Sequence, residues 1–175
     1  MVTESNKSNT PPYIINLLDR YMLDVGTIDI LHYFTREGFA RYLDEISIAF
    51  NSLNVEIDDK INQVYVIAQR DFEAIKVGIA KNPKSRMVGL QTGNPCQLQL
   101  IFHYDPIQYN ADAFIENLKN LDVYGYEHEL YSWLVGNKTN ERCGEWLRPD
   151  DRCLRILIRE GLSILRWYNE RQNIL

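Results

Sequence analysis

The stretch from Val64 to Pro95 limits what this chain can fold into more than any other. Val64-Tyr65-Val66-Ile67 and Ile75-Lys76-Val77-Gly78-Ile79-Ala80 are short β-branched runs, and the polar break from Gln69 to Glu73 between them is the signal of a hairpin. Asn82-Pro83 then marks a helix start, since proline at the first helical position has no amide to satisfy and its φ is already helical. Tyr65 is thereby placed on one strand, Lys76 on its neighbour and Arg86 on the helix behind. Leu98 to Tyr104 reads as a third strand. Helices are expected over Ala111 to Leu121, over Tyr126 to Val135, and from Asp150-Asp151 onward. The last has the apolar face Leu154, Leu157, Ile158, Leu162, Leu165 and Tyr168, and its two aspartates suit a helix N-terminus. This order predicts an α+β fold with a small antiparallel three-stranded sheet flanked by helices.

Ahead of it stands a segment that reads helical throughout. Ile14, Leu17, Leu18, Tyr21, Met22 and Val25 follow helical spacing with Gly26 as a stop, and Thr27 to Phe34 reads as a short second helix. Thr35 stands as the cap of a longer helix whose stripe is Phe39, Leu43, Ile46, Phe50 and Leu53. Charge divides the chain at the same place. Residues 1–60 hold five Lys/Arg against ten Asp/Glu, whereas the remainder holds fourteen of each, so the net charge of -5 arises entirely before the strands. Two modules follow: a helical N-terminal one over 1–60 and a second over 61–175, joined through the polar stretch Asn54 to Gln63. Three helices alone invite a helix-turn-helix reading. The acidity and the lack of a basic recognition face work against phosphate contact, which leaves a packing appendage, or a partner or homodimer surface.

No apolar run approaches the roughly 18 residues of a membrane span, and Met1 to Pro12 is polar, so a cytoplasmic protein without membrane contact is expected. Cys96, Cys143 and Cys153 are odd in number and lack Cys-x-x-Cys spacing, which argues for free thiols. His103 or His128 with Cys143 and Cys153 lacks the local spacing of a zinc site.

Several separated motifs, in order, resemble the GIY-YIG nuclease superfamily, and most of all its phage-type branch related to a fungal meiotically up-regulated protein family. They are Lys76-Val77-Gly78, Asn82-Pro83, Arg86, Gln91-Thr92-Gly93-Asn94-Pro95, Glu127-x-x-Leu130-Tyr131 and Gly144-Glu145-Trp146-Leu147. The resemblance covers Val64 to about Leu147. It implies a metal-dependent endonuclease acting on DNA, with Tyr65, Lys76, Arg86, Glu127 and Tyr131 at its catalytic site. Tyr131 stands where that family has histidine, Gln63 where the founding motif has glycine, and Leu147 where the family has phenylalanine. Asp105 to Val123 reads as an insertion relative to the family.

Hydrolysing a phosphodiester needs a deprotonated water in line with the leaving oxygen, a group that neutralises the non-bridging oxygens, and something to stabilise the leaving oxyanion. Glu127 suits one hard divalent ion, Mg²⁺ or Mn²⁺, which one or two carboxylates hold with water and phosphate. Arg86 offers planar, permanent donors to a phosphate. Lys76 and Tyr65 are candidates to share activation of the water, and Tyr131 can still donate a hydrogen bond. Taken singly, each has a plainer reading: Tyr65 a half-buried sheet aromatic, Lys76 a solvated edge charge, Arg86 a surface cation beside Lys81 and Lys84, and Glu127 a first-turn acid. Arg152, Arg155, Arg159 and Arg166, with Arg148 ahead of them, recur at one helical azimuth and form a second candidate track for DNA beside Lys81 and Lys84. The alternative function is a binding module that kept the fold and lost turnover, gripping nucleic acid or a protein partner. Convergence of Tyr65, Lys76, Arg86 and Glu127 on one cleft is what separates the two.

Overall fold

The computed structural model describes residues 35–113, 122–135, 142–143 and 145–174. The helices expected over 14–34 lie outside these. In chain order the elements are α1 (Arg36–Ser52), β1 (Gln63–Gln69), β2 (Ile75–Ala80), α2 (Pro83–Thr92), β3 (Leu98–Tyr104), α3 (Pro106–Ala113), α4 (Val123–Val135), β4 (Arg142–Cys143), β5 (Trp146–Leu147) and α5 (Asp151–Ile174). The fold is α+β, an antiparallel sheet flanked by helices.

The expected three strands are its centre but not its whole. The sheet runs β3-β1-β2-β5-β4, because Leu147 pairs with Ile75 and carries the β4–β5 hairpin onto the free side of β2. Strands of two residues hold no alternation to read, so the extra pair is invisible to a periodicity argument. One consequence is that β2 is an inner strand, and Lys76 is not the solvated edge charge of its plainer reading.

Helix starts follow side-chain caps. Thr35 accepts the Gly38 amide at 3.3 Å, and Asn82 accepts the Ser85 amide at 3.0 Å with Pro83 opening the helix. Asp105, Asp122 and Asp150 accept the amides of Ile107, Gly125 and Cys153 at 3.0, 2.8 and 2.7 Å. Each such cap contributes about 1 kcal/mol. Two of them correct the expected boundaries: Asp105 starts α3 at Pro106 rather than Ala111, and Asp122 starts α4 at Val123 rather than Tyr126. The expected helix beyond Ala113 lies outside the described residues.

Period-two alternation gives the sheet two buried faces. On one, Val64, Val66, Val77 and Phe102 meet Phe39, Leu43, Ile46 and Phe50 of α1, Leu130 and Leu134 of α4, and Leu154, Leu157, Ile158 and Leu165 of α5. The described end of the N-terminal segment therefore packs into the same core as the sheet. α1 also closes the edge strand β3, which bulges against β1: Ser47 Oγ and Asn51 Nδ2 donate to the Leu100 carbonyl at 2.7 and 3.2 Å. Among the described residues no helix is long and apolar enough to cross a membrane.

The second face is smaller and faces the site. Tyr65, Ile67, Leu98 and Leu100 pack with Met87 and Leu90 of α2 and with Trp146 of the hairpin. Gln91 ties α2 to β3 with every group of its amide: Nε2 donates to the carbonyls of Asn94 and Cys96 at 3.1 and 3.0 Å, and Oε1 accepts the Leu98 amide at 2.7 Å. This gives the Gln91-to-Pro95 motif a structural use, which is to hold the helix that presents Arg86.

Candidate active site

Four elements meet at one cleft of about 420 Å³, lined by Tyr65 of β1, Lys76 and Gly78 of β2, Arg86 of α2, and Tyr124, Glu127 and Tyr131 of α4, with Glu145 from the hairpin turn. All five residues expected to form a catalytic set (Tyr65, Lys76, Arg86, Glu127 and Tyr131) border it. The geometry follows from element periods. Tyr65 pairs with Gly78 and Ile67 with Lys76, so Tyr65, Lys76 and Gly78 share one face of the sheet. On α4, Tyr124, Glu127 and Tyr131 are spaced i, i+3 and i+7 and face the cleft, while Val123, Tyr126, Leu130 and Leu134 form the adjoining stripe in the core.

Tyr65 is buried, and its ring lies over the backbone of Gly78: a Cβ there would stand 2.6 Å from Tyr65 Cζ and 3.2 Å from Cε1. Only a residue without a side chain leaves room for that ring.

Lys76 is also buried, its side chain 6% exposed, and its ammonium donates to the Glu145 carboxylate, whose side chain is 78% exposed. Burying an ammonium without a partner is costly, and Glu145 is the partner supplied. The bond to Lys76, then the lysine's charge, holds the Glu145 pKa below the ordinary carboxylate range, with Arg86 contributing least. Glu127, half-buried, is displaced the other way: burial raises its pKa, Lys76 opposes this, and Glu145 adds to it. Of the two carboxylates lining the cleft among the described residues, Glu145 is engaged by Lys76, and Glu127 is the one that could hold a cation. Among the described residues no three His, Cys, Asp or Glu side chains cluster as a closed metal cage.

Glu145, like Tyr124, lines the cleft without belonging to the catalytic set expected from the sequence. It was visible within Gly144-Glu145-Trp146-Leu147, but its partner lies 69 positions away.

The expected DNA-facing cations divide into two groups. Lys81 and Lys84 are exposed at the start of α2, beside the exposed Arg86. On α5, Arg152, Arg159 and Arg166 are exposed, with Arg148 exposed ahead of the helix. Arg155, by contrast, turns onto α1, its guanidinium 5.9 Å from the centre of the Phe39 ring, and Arg166 Nε pairs with Glu170 at 3.1 Å. Arg155 lies at the margin of the apolar stripe, so its azimuth carries it toward the core and away from the expected solvent row.

Cys96 and Cys153 are free thiols. His103 lies buried, its ring bonded to Gln63.

No protein-family model, curated protein or solved structure matches the chain.

Proposed function

We propose that the protein is a metal-dependent endonuclease that hydrolyses phosphodiester bonds in DNA, of the GIY-YIG type its motifs resemble. The observation that carries this reading is the meeting of Tyr65, Lys76, Arg86, Glu127 and Tyr131, from both halves of the resemblance, in one cleft.

The donor set fits one hard divalent ion, Mg²⁺ or Mn²⁺, with Glu127 as its carboxylate. Held there, such an ion would withdraw charge from the scissile phosphate and the leaving oxygen. The chain's own residues supply the rest. Arg86, exposed at the cleft and permanently charged, offers paired donors to the non-bridging oxygens. Lys76 places a second positive charge in the cleft, and Tyr65 is held on the same face of the sheet. Lys76, held as an ammonium by Glu145, and the Tyr65 phenol orient the attacking water, and the proton the water loses passes through the phenol oxygen to bulk solvent. The water oxygen bonds to phosphorus as the opposite P–O ester bond breaks, and the departing alkoxide takes a proton from solvent. Tyr131 supplies a hydroxyl where the family has an imidazole, and that hydroxyl can hold a phosphate or a water by a hydrogen bond. Lys81 and Lys84 extend the positive surface from Arg86 along α2 and are the first candidates for the flanking backbone.

The test is incubation of supercoiled plasmid with the protein in Mg²⁺ or Mn²⁺. Nicked or linear product from wild type, none from Lys76→Met and a slow residue from Tyr65→Phe is the expected result, since positioning and charge stabilisation survive loss of the phenol. Equal yields from wild type and Lys76→Met overturn the assignment of the lysine.

A further inference from the structure

Lys76 and Glu145 form an unequal pair. The lysine is sealed within the sheet face, and the glutamate stands in an exposed turn. The chain nevertheless fixes that turn from both sides. Trp146, the next residue, packs in the small core with Tyr65 and Ile67, and Leu147 is buried in the main core while pairing with Ile75, the residue before Lys76. Among the described residues, the hairpin's only ladder contact with β2 is therefore beside the lysine. Stability alone gives a weak reason for such a pair: exposed ion pairs contribute little, and a buried charge pair is often no better than a hydrophobic substitute. Placement gives a stronger one. A lysine carries a compact charge on a flexible four-carbon stem, and without an anchor its head samples many positions.

We propose that Glu145 is a positioning residue, whose carboxylate holds the Lys76 ammonium at the cleft so that its remaining N–H groups point to where a phosphodiester oxygen is bound. This rests on the hydrolase reading above. Glu145 itself stays outside the reacting atoms, because its carboxylate is engaged by the lysine and Glu127 remains to take the metal.

The experiment has two arms. In the first, ¹⁵N-lysine-labelled protein without DNA is examined for a slowly exchanging ammonium signal at neutral pH, assigned to Lys76 by its loss in Lys76→Met. An anchored, buried ammonium gives this signal; Glu145→Gln should erase it and Glu145→Asp should weaken it. In the second, cleavage of a fluorescently labelled DNA duplex is measured in Mn²⁺. Glu145→Gln should lower kcat on the order of 10²-fold, as a displaced catalytic group does, with KM unchanged within about twofold, and Glu145→Asp should recover part of the loss. A Glu145→Gln protein that keeps the ammonium signal overturns the proposal, as does one that cuts at the wild-type rate or faster. If wild type cuts no DNA in any metal, the hydrolase reading fails, and the ammonium spectrum still decides whether Glu145 anchors Lys76.

Discussion

The ring of Tyr65 occupies the space a side chain at position 78 would need: a Cβ on Gly78 would stand 2.6 Å from the phenol's Cζ. The two residues are direct partners across the β1–β2 ladder, so the lysine-containing strand and the tyrosine-bearing strand are shaped for one another. Gly78→Ala should push the phenol out of place. A displacement of about 1 Å costs on the order of 10²-fold in rate. The variant should retain its circular dichroism spectrum and lose DNA cleavage to about that extent; wild-type cleavage would show that the position of the ring is irrelevant.

Helices α1 and α5 cross where Gly161 lies, and a Cβ there would stand 2.9 Å from Ile46 Cγ2 and 3.3 Å from Phe102 Cδ1. The Ile46 methyl belongs to a β-branched side chain with little rotamer freedom in a helix, so it cannot swing aside. Gly161→Ala would gain about 1 kcal/mol of helix propensity, but overpacking costs typically about 1–3 kcal/mol. Urea denaturation should show the variant destabilised by about 1 kcal/mol, the difference of those two effects. A more stable variant would contradict overpacking at this crossing.

His103 makes stability depend on pH. Gln63 Oε1 can only accept, so Nδ1 donates to it, and Nε2 is left as a buried acceptor without a partner among the described residues. Burial first, and the charge of Lys84 second, lowers its pKa from 6.5 to about 4. The unfolded chain therefore binds this proton more readily than the folded one between those values. The contribution is intact above about pH 6.5 and declines as pH falls toward 4, by about 2 kcal/mol at pH 5. Glu127 and Glu160, whose pKa values are raised by burial, act in the opposite direction, losing their contribution as pH rises. The histidine is thus read as a difference: the gap in unfolding free energy between wild type and His103→Leu should change by about 2 kcal/mol between pH 7.5 and 5, against wild type. A gap that does not change with pH would place His103 in contact with solvent.

If DNA follows α2, Lys81 and Lys84 each neutralise a phosphate and release counterions, and log K falls with log salt by about 0.9 per contact. Replacing both by Gln should flatten the slope by about 2 units for all sequences alike. Replacing Arg166, already paired with Glu170, should change it by less than one contact's worth. An unchanged slope in the Lys81/Lys84 variant, with a fall on replacing Arg152 and Arg159, would move the track to α5.

The parts of this fold legible in the sequence are those where period and cap stand close together. Thr35 with the Phe39-to-Leu53 stripe, Asn82 with Pro83, and the two β-branched runs each announce an element within a few residues, and each lies where expected. Lys76 stands out through the resemblance of Lys76-Val77-Gly78 to the family motif and not through its strand, where alone it reads as a solvated edge charge. Asp105 and Asp122 were illegible as caps because single aspartates occur throughout a polar stretch. The hairpin at 142–147 was illegible because two-residue strands have no period, and with it went the contact between Glu145 and Lys76, which depends on the closed sheet. Arg155 was misplaced because helical azimuth alone does not say how far a neighbouring helix wraps.

The central claim is that this cleft hydrolyses DNA with one divalent ion on Glu127. It is tested most directly by comparing plasmid cleavage by wild type and Glu127→Ala in Mg²⁺, in Mn²⁺ and in excess chelator, with circular dichroism confirming that both fold. Cutting by wild type in either metal, none in chelator and none by Glu127→Ala is the result expected. Undiminished cutting in chelator, or by Glu127→Ala, would contradict it.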